Sequence, residues 1–103
     1  MSFDKENIQT CMKLREGNVC LVQGFGQSMT PILKSGQVCR VIPVTDAIPL
    51  NKNDIVLCKV KGHVYLHKIT SIKGSRYQIG NNHKHINGWI GRDNIFGKCV
   101  EIL

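Results

Sequence analysis

The chain has 103 residues, enough for one small domain with a single core and too few for two. A hydrophobic fraction of 42% excludes a disordered chain, and no stretch approaches the roughly 18 uninterrupted apolar residues of a membrane span. The net charge of +7 comes from lysines and arginines scattered singly, with no basic run and no interleaved aromatics; it reads as a solvated basic surface and leaves nucleic acid as a secondary reading for a partner.

Met1-Ser2-Phe3-Asp4-Lys5-Glu6 is polar and lacks the apolar stretch of a secretory signal, so a cytoplasmic protein without a membrane anchor is expected. Residues 4–16 mix Ile8, Cys11, Met12 and Leu14 with charges at near-helical spacing, and Gly17 is a stop. Residues 1–17 are therefore expected to form a short helix or arm, and residues 18–103 a β domain.

Within that domain, residues 19–25 read as a strand closed by Gly24 and Gly26. Residues 28–34 read as a short helical turn, with Pro31 in its first turn and Gly36 past its end. A second strand is expected over 37–44 and a loop over 45–53. Residues 55–60 and 63–72 are β-rich runs separated by Lys61-Gly62, a two-residue hairpin signal. A further strand follows over 76–79. Residues 80–93, rich in Asn, His and Gly, read as a functional loop, and residues 95–103 as the strand that closes the sheet. Short strands, glycine-rich turns and little helix together predict a mostly β fold, a coiled and partly closed antiparallel sheet.

The five cysteines, Cys11, Cys20, Cys39, Cys58 and Cys99, are dispersed and form no C-x-x-C pair. Free thiols in a reducing compartment are expected, and neither a metal nor another cofactor is. His83 and His85 stand two apart with no carboxylate or thiol beside them to complete a metal site. Together with Trp89, which reads as a core or rim anchor, they are candidates for contacting a substrate or partner.

Ser28 lies between a glycine-rich strand end and a turn, where its hydroxyl is exposed and new backbone N–H groups are free to stabilise an oxyanion. The same position suits a helix N-cap. A nucleophilic hydroxyl needs a base, and His67 is the candidate. Alternation in Val64-Tyr65-Leu66-His67-Lys68-Ile69 puts His67 on one face with Tyr65 and Ile69 and turns Lys68 to the other. A histidine in that setting also fits a plain structural role.

Five segments, in order, resemble the signal-peptidase/LexA type of serine peptidase. Gly26-Gln27-Ser28-Met29-Thr30-Pro31, continued by Leu33-Lys34-Ser35-Gly36-Gln37-Val38, is similar to that family's serine box. Asn51-Lys52-Asn53-Asp54-Ile55-Val56 resembles its "G-D-I-V" strand start, with Asn53 in place of glycine. Tyr65-Leu66-His67-Lys68-Ile69 resembles the strand carrying the base. Tyr77-Gln78-Ile79-Gly80-Asn81-Asn82 resembles the "G-D-N" segment, with Asn81 in place of aspartate, and Ile95-Phe96-Gly97-Lys98-Cys99-Val100 resembles the closing strand.

The resemblance implies a Ser28/His67 dyad that cleaves a peptide or protein substrate. Ser28 would be the nucleophile and its N–H part of the oxyanion hole, with Gly26, Met29 and Asn81 in support and Lys68 as the fallback base. Asn81 would orient His67 through its amide oxygen. A basic DNA-binding segment, a membrane helix and an Ala-Gly self-cleavage site, which mark branches of the family, are not found in the sequence; a small stand-alone member of phage or mobile-element origin is the corresponding expectation. The alternative is a non-catalytic module on the same fold that engages a protein or nucleic acid.

Overall fold

A computed structural model describes residues 4–103. The N-terminal helix, α1, spans Asp4–Arg15 and ends at Gly17, whose φ of +93° suits a residue without a Cβ. There the N–H of Asn18 reaches the carbonyl of Lys13 at 3.0 Å and that of Gly17 reaches Leu14 at 3.0 Å, a Schellman closure of the last turn.

Seven strands follow: β1 Cys20–Gln23, β2 Val38–Pro43, β3 Ile55–Val60, β4 His63–Lys73, β5 Arg76–Gly80, β6 Ile86–Gly91 and β7 Ile95–Ile102. All pair antiparallel in the order β1-β2-β7-β3-β4-β5-β6, a curled and open half-barrel. The mostly β fold with one short N-terminal helix is as the sequence predicts. The β3–β4 hairpin pairs Val60 with His63 across Lys61 and Gly62, both at positive φ (+50° and +86°), the geometry of a type I′ turn.

Two expectations need correction. Residues 80–93 are not one loop: residues 86–91 form β6, paired along β5, and Arg92–Asn94 is a single 3-10 turn. Gly88 and Gly91 dilute the strand signal, which the ladder with β5 restores. Residues 28–34 do not form a helical turn with Pro31 at its start. They are a run of turns, with a cis bond between Thr30 and Pro31, and the residue before a proline is biased away from the helical region. The strand expected to close the sheet, β7, lies between β2 and β3 and joins the two halves.

The sheet is packed on both faces. Cys11 and Leu14 of α1 join Val22, Cys39, Val41, Leu57, Leu66, Met29 and Leu33 in one cluster, while Val56, Cys58, Val60, Ile69, Ile79 and Ile90 form a second. β3 is apolar almost throughout because alternate residues enter opposite clusters. Gly97 on β7 lets the helix come close, since a Cβ there would meet Leu14 Cδ1 at 2.9 Å. All five cysteines are free thiols. Among the described residues, no helix is long and apolar enough to cross a membrane.

Candidate active site

The loop between β1 and β2 presents Ser28. Its neck is closed by Gly24, which donates to the Gln37 carbonyl at 3.2 Å and accepts from Gly36 N–H at 2.7 Å. Gly26 turns the chain at φ +96°, and its N–H is held by Ser35 Oγ at 3.0 Å. Met29 and Leu33, both buried, anchor the loop in the first cluster, and Leu33 N–H bonds the Met29 carbonyl at 2.8 Å. The supporting role of Met29 is thus that of an anchor directly after the serine. No helix follows Ser28, so it caps none, and its N–H has no hydrogen-bond acceptor among the described residues.

His67 comes from the middle of β4, opposite Val56, and is 8% exposed. Its Nε2 lies 3.2 Å from Ser28 Oγ, and its Nδ1 lies 2.7 Å from Asn87 Oδ1. An amide oxygen only accepts, so Nδ1 carries the proton and Nε2 offers its lone pair to the serine hydroxyl. Tyr65, two residues earlier on the same face, stacks on the ring with centroids 4.9 Å apart. Burial holds the imidazole pKa below its usual value; the bond to Asn87 offsets part of that shift, and the nearby His85 adds to it. The ring is therefore neutral at pH 7, the state a general base requires.

The turn between β5 and β6 locks the serine loop in place. Asn82 N–H donates to the Ser28 carbonyl at 2.8 Å, and its Nδ2 donates to the Thr30 carbonyl at 2.9 Å. Its Oδ1 accepts from Lys68 Nζ at 2.9 Å. His83 Nε2 donates to the Gln27 carbonyl at 2.8 Å and lies 3.0 Å from Thr30 Oγ1.

These contacts revise two roles. Asn81 does not orient His67: its Oδ1 accepts from the N–H groups of His83 and His85 at 2.8 and 3.0 Å, shaping the turn, and Asn87 holds the ring instead. Lys68, on the opposite face of β4 as alternation predicts, bonds Asn82 rather than the serine. A short polar side chain beside a glycine is a natural turn former, which is why Asn81 is spent on the backbone. Asn87 and Asn82 escape a sequence reading because both act across strand pairs, at separations of 20 and 14 residues.

Ser28 and His67 open into a groove of about 580 Å³ whose walls include Phe25, Met29, Leu33, Tyr65, His85 and Asn87. Of the candidate contact residues, His85 lines it. His83 clamps the serine loop from behind, and Trp89, half-buried on β6 opposite Gln78, lies beneath Lys73 Nζ at 5.7 Å and outside the groove. Among the described residues, no three His, Cys, Asp or Glu side chains stand close enough to hold a metal ion.

Neither the models of known protein families nor the curated proteins contain a match to this chain.

Proposed function

We propose from the site itself that the chain is a serine endopeptidase of the signal-peptidase/LexA type, acting through Ser28 and His67. The observation that carries this reading is the 3.2 Å approach of Ser28 Oγ to the unprotonated Nε2 of His67 in an open groove. Two backbone details support it. Asn53, standing where the family carries glycine, sits at φ +77°, a conformation asparagine tolerates better than most residues. Gly26 and Gly36, which flank the serine loop, also sit at positive φ.

In the proposed reaction His67 Nε2 takes the Ser28 hydroxyl proton as Oγ attacks the peptide carbonyl. The N–H of Ser28 stabilises the oxyanion that forms. His67 then gives its proton to the departing amine, leaving an acyl-Ser28, and a water activated by the same nitrogen hydrolyses the ester. Asn87 fixes the tautomer throughout but, as an amide, brings no charge to balance the imidazolium. Five free thiols fit a reducing, cytoplasmic setting.

The test is cleavage of a peptide mixture, with labelling by a serine-directed acylating probe, for the wild type, Ser28→Ala and His67→Ala. Each variant is expected to lose roughly 10³-fold or more in kcat/KM, and Ser28→Ala to lose the label. Equal activity in the wild type and Ser28→Ala overturns the reading.

The amide beside His67, where a carboxylate would balance imidazolium charge, and the net charge of +7 favour a second reading, a binding module for a protein or nucleic acid. Salt-dependent RNA or DNA binding that survives Ser28→Ala, with no cleavage by the wild type, selects it.

A further inference from the structure

The charge of the groove is one-sided. Lys34 reaches it from the segment after Ser28, His63 from the start of β4 and His85 from the β5–β6 turn, and among the described lining residues there is no aspartate or glutamate. Four of the described acids lie elsewhere: Asp54 is paired with Lys98 at 3.2 Å, Glu101 with Arg40 at 3.0 Å, and Asp46 and Asp93 line a separate hollow beside α1. Lys34 is exposed and, among the described residues, its ammonium has no partner; the His85 ring is exposed as well. His85 also stands near enough to His67 to act on it electrostatically.

We propose that this groove selects extended peptides bearing Asp or Glu next to the scissile bond, with Lys34 and His85 receiving the carboxylates. This inference rests on the peptidase reading and adds the substrate class to it. The same polarity disfavours a basic peptide, which would meet Lys34 with no acid to relieve the repulsion. A nucleic acid is a poorer occupant: the groove lining contains one lysine and no arginine, whereas phosphate backbones are held by several. Tyr65 and Phe25 supply apolar wall between the charges, so the groove accommodates a peptide with an acidic residue among apolar neighbours.

The experiment uses synthetic peptide mixtures with Glu, Ala or Lys fixed at each position in turn. Wild-type kcat/KM is expected to favour Glu over Lys by about fivefold, the scale of an exposed ion pair. The preference should collapse between about 0.1 M and about 1 M NaCl. Lys34→Glu should erase or invert the Glu/Lys ratio, while Lys73→Glu, which alters a lysine outside the groove, should leave it intact. No preference, or one untouched by Lys34→Glu, overturns the inference while the peptidase reading stands.

Anisotropy of labelled Glu-rich and Lys-rich octapeptides with Ser28→Ala reads the selection without turnover. Preferential, salt-sensitive binding of the Glu-rich peptide supports the inference even if no peptide is cleaved. Equal binding of both peptides, or displacement of the Glu-rich one only by an oligonucleotide that binds more tightly, counts against it.

Discussion

Asn87 Oδ1 meets His67 Nδ1 at 2.7 Å although the two residues belong to strands that are not neighbours in the sheet. The contact forms because β5 pairs with β4 only from Lys68 onward and ends at Gly80, which also pairs with Ile86 of β6. Asn87 is the extra residue where the β5–β6 register shifts between the Ile79–Gly88 and Gly80–Ile86 pairs, and from there its side chain reaches past the end of β5 to the imidazole.

If the proposed peptidase reading holds, the acid limb of the pH–rate profile should lie below the usual histidine value of 6.5, because burial lowers the His67 pKa and only the neutral ring accepts a proton. Activity should be flat near pH 7 and fall only as the ring protonates at lower pH. The fold should lose stability in the same direction: the unfolded chain binds this proton more readily, so stability present above about 6.5 is lost as pH drops through the folded-state value. A limb above 6.5 would remove His67 as the proposed base.

Asn87→Ala should cost about 10²-fold in kcat through loss of ring orientation. It should also move the acid limb to still lower pH, since the bond it removes raises the His67 pKa. Asn87→Asp should move the limb the other way, because a carboxylate at that position favours imidazolium. Identical profiles for the three proteins would reduce Asn87 to a packing residue.

Lys68→Met should leave the position of the acid limb unchanged. It removes a hydrogen bond to Asn82, worth about 1.5–3 kcal/mol for a charged donor, and should loosen the serine loop with a fall in kcat of about tenfold. Complete loss of activity with the fold intact would restore Lys68 as the base.

Cys99 should be the first thiol alkylated near neutral pH. The Cys39 thiol hydrogen-bonds to it and stabilises its thiolate, whereas burial raises Cys11 to about 11 and pushes Cys58 higher still. Cys39→Ala should slow the reaction at Cys99, as read by mass spectrometry of iodoacetamide-treated protein. An unchanged rate would remove the thiol–thiol bond as the cause.

Gly97→Ala should destabilise the fold by about 1–3 kcal/mol, since the new methyl meets Val41 Cγ1 and Leu14 Cδ1 in a packed core. Its thermal midpoint should drop accordingly, and an unchanged midpoint would mean that α1 is free to shift outward.

Much of this arrangement was legible in the residues. Period-two alternation put His67 beside Tyr65 and turned Lys68 away, and the glycines around Ser28 marked an exposed bend. The Lys61-Gly62 turn fixed the register of the β3–β4 hairpin. The helper residues were not legible, because their roles depend on which strands pair. Asn81 and Asn87 are the same residue type six positions apart, and only the β5–β6 ladder decides that one closes a turn while the other reaches the imidazole. Gly88 and Gly91 disguised the strand that carries Asn87, and with it the contact that orients the imidazole.

The central place of β7 has a consequence for how this molecule comes into being. Ser28 belongs to the half of the sheet made first, on β1 and β2, and His67 and Asn87 to the half made next, on β3 to β6. Among the described residues, the two halves are joined edge to edge only through β7, which follows both of them in the chain. Until β7 is made and slots between them, the hydroxyl and the imidazole ride on separate ribbons with no shared ladder.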